Sequence, residues 1–148
     1  MAWQINYDFS KNNSWQDFYQ FVQSESNDEH LLLFAKNLAE NPNSISVKSS
    51  GSTGKAKNFI FSYSQYKTSA EKSIAFFDLK EGQNTLVAMS LQHIGAQLML
   101  VRAREAKMKI CIAEATSNLS IYLNKKVDFV AMGPVQFITT CQSNPSAL

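Results

Sequence analysis

Apolar side chains recur at helical spacing through the first forty residues and in short runs after that. Trp15, Phe18, Tyr19 and Val22 form one stripe, and Ser14 ahead of them can cap a helix over WQDFYQFVQS. Leu31, Leu32, Leu33, Phe34 and Leu38 mark a second helix, from about Asp28 to Ala39, which NPNS breaks. From Ile45 the style changes. ISVKS and NFIFS read as strands on either side of a polar loop. Ser64 can cap a helix over QYKTSAEKSIAFF that ends near LKEGQ. TLVAM, MKICIA and DFVAM are further strands, HIGAQLMLVRAREA has helical spacing and LSIYL reads as a short helix. Pro134 opens a last helix, VQFITTC, where a missing N–H costs nothing. This alternation predicts an α/β fold with a largely parallel sheet, preceded by a helical segment over residues 1–42.

Composition narrows the class. The chain has 148 residues, of which 45% are hydrophobic, enough for the core of one domain. Charged residues are 18% and the net charge is only +2, which gives no support for nucleic-acid binding through a basic face. Cys111 and Cys141 lie in apolar contexts without a CxxC spacing, so they read as reduced thiols of a cytoplasmic protein. MAWQINYDF lacks the basic start and apolar core of a signal peptide, and no run approaches the ~20 apolar residues of a membrane span. The expectation is a soluble cytoplasmic protein with no membrane or nucleic-acid partner.

The polar loop carries the candidate chemistry. KSSGSTGKAK, Lys48 to Lys57, holds two glycines, four hydroxyl side chains and three lysines. Its glycines can take positive φ and let a ligand approach the backbone. Its hydroxyls and N–H groups can donate to phosphate oxygens while the lysines offset charge. The competing reading is a solvated linker. A Walker loop is excluded, because GxxxxGK[ST] would need glycine at Ser49 and a hydroxyl at Ala56. Its place after ISV, between two strands of one sheet, favours the anion loop, since ligands gather where loops leave the carboxyl ends of strands.

SSGSTGKAK resembles the phosphate-binding motif of the adenylate-forming acyl-CoA ligases, [ST]SG[ST]TGxPK. Ser50, Gly51, Ser52, Thr53, Gly54 and Lys57 stand where that pattern wants them, with Lys55 between. Ala56 replaces the usual proline and Asn58 the glycine that often follows, which loosens the preset φ and removes a flexible joint. MSLQHIG is similar to the family's LPLFHxxG bend, with His93 and Gly95 in place and Ser90 for proline. GAQLMLVRA resembles the o-succinylbenzoate–CoA ligases of menaquinone biosynthesis, in which an arginine at the place of Arg102 meets a substrate carboxylate. DFVAMGPVQF is similar to a later strand–proline–helix segment, so the resemblance covers residues 45–140.

The resemblance implies that residues 43–148 are the first part of an AMP-binding domain. It also implies a carboxylic acid, ATP, Mg²⁺ and CoA as the reacting species, with Ser50 to Lys55 and Lys57 on phosphate and His93, Gly95 and Arg102 on the acid. Adenine-binding segments and a lid lysine lie further along such chains. The expectation is an amino-terminal part of a ligase with no catalytic residue or metal ligand of its own, and with an exposed core edge open to self-association.

Each candidate has a plainer reading. His93 can cap its turn instead of shaping an acyl pocket, and adenylation needs no base because a carboxylate is already nucleophilic. Arg102, in the apolar run LMLVRA, needs an anionic partner, which can be a substrate or a neighbouring Asp or Glu. Arg104 faces another way and reads as a surface charge. Met89, Leu98, Met99 and Leu100 read as core, and Lys125 and Lys126 as a solvated turn. Two other functions remain open: a non-catalytic phosphate- or nucleotide-binding module, and a ligase for another aryl or acyl acid.

Overall fold

The structure, a computed structural model, describes residues 4–48 and 57–146. Strand β1 (Gln4–Asp8) is followed by helices α1 (Trp15–Glu25) and α2 (Glu29–Glu40). Strands β2 (Ile45–Lys48) and β3 (Asn58–Phe61) come next, then α3 (Tyr63–Phe77), β4 (Asn84–Val87) and α4 (Ile94–Glu105). The chain continues through β5 (Lys109–Ala113), β6 (Phe129–Val130) and α5 (Pro134–Ser143). A four-stranded sheet runs in the order β1-β5-β4-β6, with β4 parallel to both β5 and β6. The α/β class and the largely parallel sheet are as expected.

Local chemistry explains most of the elements. The Ser14 side chain accepts from the Asp17 N–H and starts α1, and Asp28 accepts from Leu31 N–H and starts α2. Pro134 stands in the first turn of α5. At α3 the cap is Ser62, two residues before the expected Ser64. Ser62 forms a capping box with Gln65, which satisfies two N–H groups at once and outcompetes a lone serine. LSIYL is a turn and not a helix. Asn118 Oδ1 accepts from both the N–H and the hydroxyl of Ser120, and Leu119 accepts from the Tyr122 and Leu123 N–H groups, so the segment closes one turn that does not continue.

Two differences bear on topology. The opening segment is not helical throughout, because Gln4–Asp8 pairs antiparallel with β5, Ile5 opposite Ile112. Ile5 and Phe9 are buried and Tyr7 packs beside them, an alternation of period two visible in INYDF. β2 and β3 are not strands of the main sheet. They form their own antiparallel hairpin, with Lys48 opposite Asn58. Residues 49–57 connect them, and a parallel crossover needs about a dozen residues or more, so only the antiparallel pairing is within reach.

The main core lies on one face of the sheet, where Ile5, Val87, Ile110 and Ile112 meet side chains of α1, α2, α3 and α4. Segment 1–42 shares this core with the later strands and helices. A smaller cluster on the other face joins Leu86, Ala88 and Ala113 to Leu119 and Tyr122. Met99 and Leu100 are buried and Met89 and Leu98 pack at the core's margin. Cys111 and Cys141 are free thiols.

Arg104 is not a surface charge. Its Nε donates to the Asn13 carbonyl at 3.0 Å, and Nη1 donates to the Tyr63 hydroxyl and to Glu105. The guanidinium also lies over the Trp15 ring, 5.5 Å from its centroid. It thereby ties the β1–α1 connection to α3 and α4. Burial, reinforced by the neighbouring Glu105 carboxylate, pushes the Tyr63 hydroxyl far up, so that group stays a donor to Glu105. Arg104→Ala is expected to destabilise the protein by about 1–3 kcal/mol, since it removes the charged donor from a largely buried carboxylate and leaves it only the Tyr63 hydroxyl and the more distant Lys67 ammonium. Arg104→Lys should recover only part, because an ammonium cannot serve three acceptors in one plane. Urea unfolding midpoints of the two variants check this.

Candidate functional site

A cavity of about 240 Å³ lies between α2, the β2–β3 hairpin and the bend that leads from β4 into α4. One face of α2 supplies His30, Leu33, Phe34 and Asn37, at helical spacing. Strand β2 supplies Ser46 and Lys48, the two outward positions of a strand whose Ile45 and Val47 are buried. The bend supplies Leu91 and Gln92, and α4 supplies Gln97. Lys48 is the residue at which the strand hands over to the glycine-rich segment, so the cavity borders the start of that segment.

A buried amide holds the bend in place. Gln97 is 5% exposed; its Oε1 accepts from the Tyr66 hydroxyl at 2.5 Å and its Nε2 donates to the Leu91 carbonyl at 2.7 Å. Each bond closes a group that would be costly to bury alone. Burial pushes the Tyr66 hydroxyl up to about 12, so it remains a donor throughout the neutral range. Ser90 adds a local turn, its Oγ accepting from the Gln92 N–H and its carbonyl from the His93 N–H. The bend is thus anchored to α3 and α4 together.

The residues expected from the sequence are placed in three groups. Ser50, Gly51, Ser52, Thr53, Gly54 and Lys55 lie outside the described residues. Lys57 is described and exposed, next to Asn58 at the start of β3. His93 is the N-cap of α4, exposed, with no capping bond from its side chain. The imidazole therefore does not tie down its own turn. Gly95 has ordinary backbone geometry, and a methyl group there would meet only Met89 Cε at 3.9 Å. Arg102 lies in the last turn of α4, nine residues and about 13 Å along the axis from His93. The structure therefore does not bring Arg102 to His93. Its Nε is buried without a hydrogen-bond partner, and burial pushes the guanidinium down.

Two polar residues were missed by the sequence reading. His30 reads in the sequence as one polar position in an amphipathic helix, and only packing turns it toward the cavity. Gln136 joins the loops at the carboxyl edge of the parallel strands. Its Nε2 donates to the Ala88 and Thr116 carbonyls at 2.9 and 2.7 Å, and its Oε1 accepts from the Gly133 N–H. The one hint was its place three residues after Gly133, from which a glutamine side chain can reach back to the N–H that precedes the helix. Among the described residues no cluster of three or more His, Cys, Asp or Glu side chains is arranged to hold a metal ion. No helix among them is long and apolar enough to cross a membrane.

No protein-family model matches the sequence, and no curated protein matches it. Among solved structures, an acyl-CoA synthetase (AMP-forming)/AMP-acid ligase II-like protein from Dyadobacter fermentans superposes with a TM-score of 0.75 at 22% identity. The match takes in 99% of this chain. The fold is shared with part of that protein. This chain spans 40% of its length.

Two substitutions test the anchoring of the bend. Gln97→Leu leaves the Tyr66 hydroxyl and the Leu91 carbonyl without partners and should cost about 2–4 kcal/mol, whereas Tyr66→Phe, which removes only the donor, should cost about 0.5–1.5 kcal/mol. Thermal and urea unfolding give both values. Gly95→Ala should leave stability unchanged or raise it by up to about 1 kcal/mol, because the site is helical and open to a methyl group. A lower melting temperature would show that the glycine is structurally required.

Proposed function

We propose that the chain is part of an ATP-dependent acid–CoA ligase and that residues 48–57, the end of β2 and its connection to β3, hold ATP phosphates. In the reaction, a carboxylate oxygen bonds to the α-phosphorus of ATP while the bond to pyrophosphate breaks. The thiol of CoA then displaces AMP from the acyl-adenylate to give the thioester. No base is needed in the first half, because the carboxylate is the nucleophile and no proton moves. What the enzyme must supply is position and charge compensation.

In this reading Lys48, Lys55 and Lys57 offset phosphate charge. The hydroxyls of Ser50, Ser52 and Thr53 donate to phosphate oxygens, and Gly51 and Gly54 let the backbone come close. Mg²⁺ would enter with the phosphates and supply further charge compensation. His93 and Gly95 are proposed to border the acid. The observation that carries the reading is the combination of that motif with an antiparallel hairpin beside a cavity, in a fold shared with an AMP-forming synthetase-like protein. The finer reading, o-succinylbenzoate as the acid, rests on Arg102 and its unpartnered Nε. Its support comes from sequence resemblance, because the residue stands at the far end of α4 from His93.

Titration of the purified chain with pyrophosphate and with ATP tests the phosphate assignment. A Kd of about 0.1–1 mM is expected, because a few phosphate contacts must first offset the cost of association. Thr53→Ala combined with Lys57→Ala should abolish binding, and an unfolding transition measured alongside shows that the double variant still folds. Equal affinity of the double variant and the parent would make the segment a linker.

A further inference from the structure

We propose that the cavity beneath the hairpin seats the carboxylic acid, with Lys48 and His30 on its carboxylate and Leu33, Phe34 and Leu91 against its apolar body. This rests on the ligase reading above and names the substrate class and its seat.

The lining itself selects the ligand. It contains a lysine and a histidine and no acidic side chain, so an anion is favoured over a cation. The side chains of His30, Asn37 and Lys48 make no hydrogen bond or ion pair with another described residue, so their donors are uncommitted. Lys67, Lys80 and Lys126, by contrast, all have carboxylate partners. Gln97 uses one amide hydrogen on Leu91, and the second is left for a ligand oxygen. A bare phosphate would use these donors and leave the other wall empty. That wall is apolar, with Phe34 3% and Leu91 4% exposed behind it and Leu33 60% exposed at the mouth. The matching ligand is an anion with a hydrophobic part. A volume of about 240 Å³ lies below the usual range for large ligands, which limits it to a single-ring or short-chain acid.

Position gives the chemistry its sense. Lys48 lines the cavity and also begins the proposed phosphate segment, so the proposed acid seat and the proposed phosphate segment share this residue. One ammonium would then face both reacting anions and lower their mutual repulsion. The histidine that lines this seat is His30 on α2; His93 follows the lining residue Gln92 and stands at the border of the seat, not in its lining. Gln97 is a positioning residue here, since its bond to the Leu91 carbonyl fixes one wall.

The test uses benzoate and hexanoate as acids and pyrophosphate as the separate phosphate probe, with binding followed by calorimetry and by the His30 ring resonances. Saturable binding of at least one acid with a shift of the His30 resonances is expected. Leu33→Trp, at the exposed mouth, should fill the entrance and weaken acid binding about tenfold while leaving pyrophosphate binding unchanged. Lys48→Met should weaken the acid by a similar factor, the scale of one charge-assisted contact. Melting temperatures equal to the parent's confirm that both variants fold. Absence of saturable acid binding, or acid binding that Leu33→Trp does not alter, overturns the proposal. If pyrophosphate still binds in that case, the ligase reading stands and only the acid's seat is wrong. If the acids bind at His30 and pyrophosphate does not bind at all, the seat stands and the phosphate assignment falls.

Discussion

The buried amide of Gln97 is the constraint on which the site depends. It stands near the start of the helix that fills the core, and it must satisfy its polar atoms without water. It does so by taking a hydrogen from Tyr66 on α3 and giving one to the Leu91 carbonyl in the bend. The distant helix α3 and the bend just before α4 are thereby held in one register with it. Apolar packing alone would let α3 slide along α4 at small cost, because dispersion has little directional preference. A hydrogen-bonded chain in a low-dielectric interior has one geometry, and departures from it leave a polar group stranded.

The two arginines of α4 show how the same helix serves two surroundings. Arg104 turns toward the opening segment and α3, where a carbonyl, a hydroxyl, a carboxylate and an aromatic face meet its planar group. Arg102, on another face, has its Nε buried with nothing to donate to. The first is a structural clasp that brings the residues after β1 to the rest of the core. The second carries an unsatisfied polar atom into the interior.

The hairpin and the cavity together make the functional reading concrete. β2 exposes Ser46 and Lys48 on one face and buries Ile45 and Val47 on the other, so its polar positions border the cavity because its apolar ones hold the core. The bend after β4 meets it from the opposite side, fixed by Gln97. At the carboxyl edge, Gln136 binds the loops after β4 and β5 to the start of α5, which keeps the strand ends in register with the helices above them. Site geometry here is a by-product of satisfying buried polar groups.

Much of the local structure was legible in the sequence because it is decided by near neighbours. Ser14 and Asp28 accept from N–H groups three residues on, Pro134 suits a first turn, and the runs at Thr85–Val87 and Ile110–Ala113 are strands because their side chains are buried on both faces. What the sequence left open was long-range. Chain reach across residues 49–57 left β2 and β3 only an antiparallel pairing, whereas their separation from the main sheet was settled in the tertiary structure, and INYDF became a strand only because β5 offered an edge. Arg102 and Arg104 have similar local settings, and only the tertiary arrangement gave one of them partners. His30 reached the cavity through helix packing that no local pattern records. Capping and periodicity act over three or four residues; pairing, burial and convergence act between segments that meet only after folding, and these the tertiary structure alone decided.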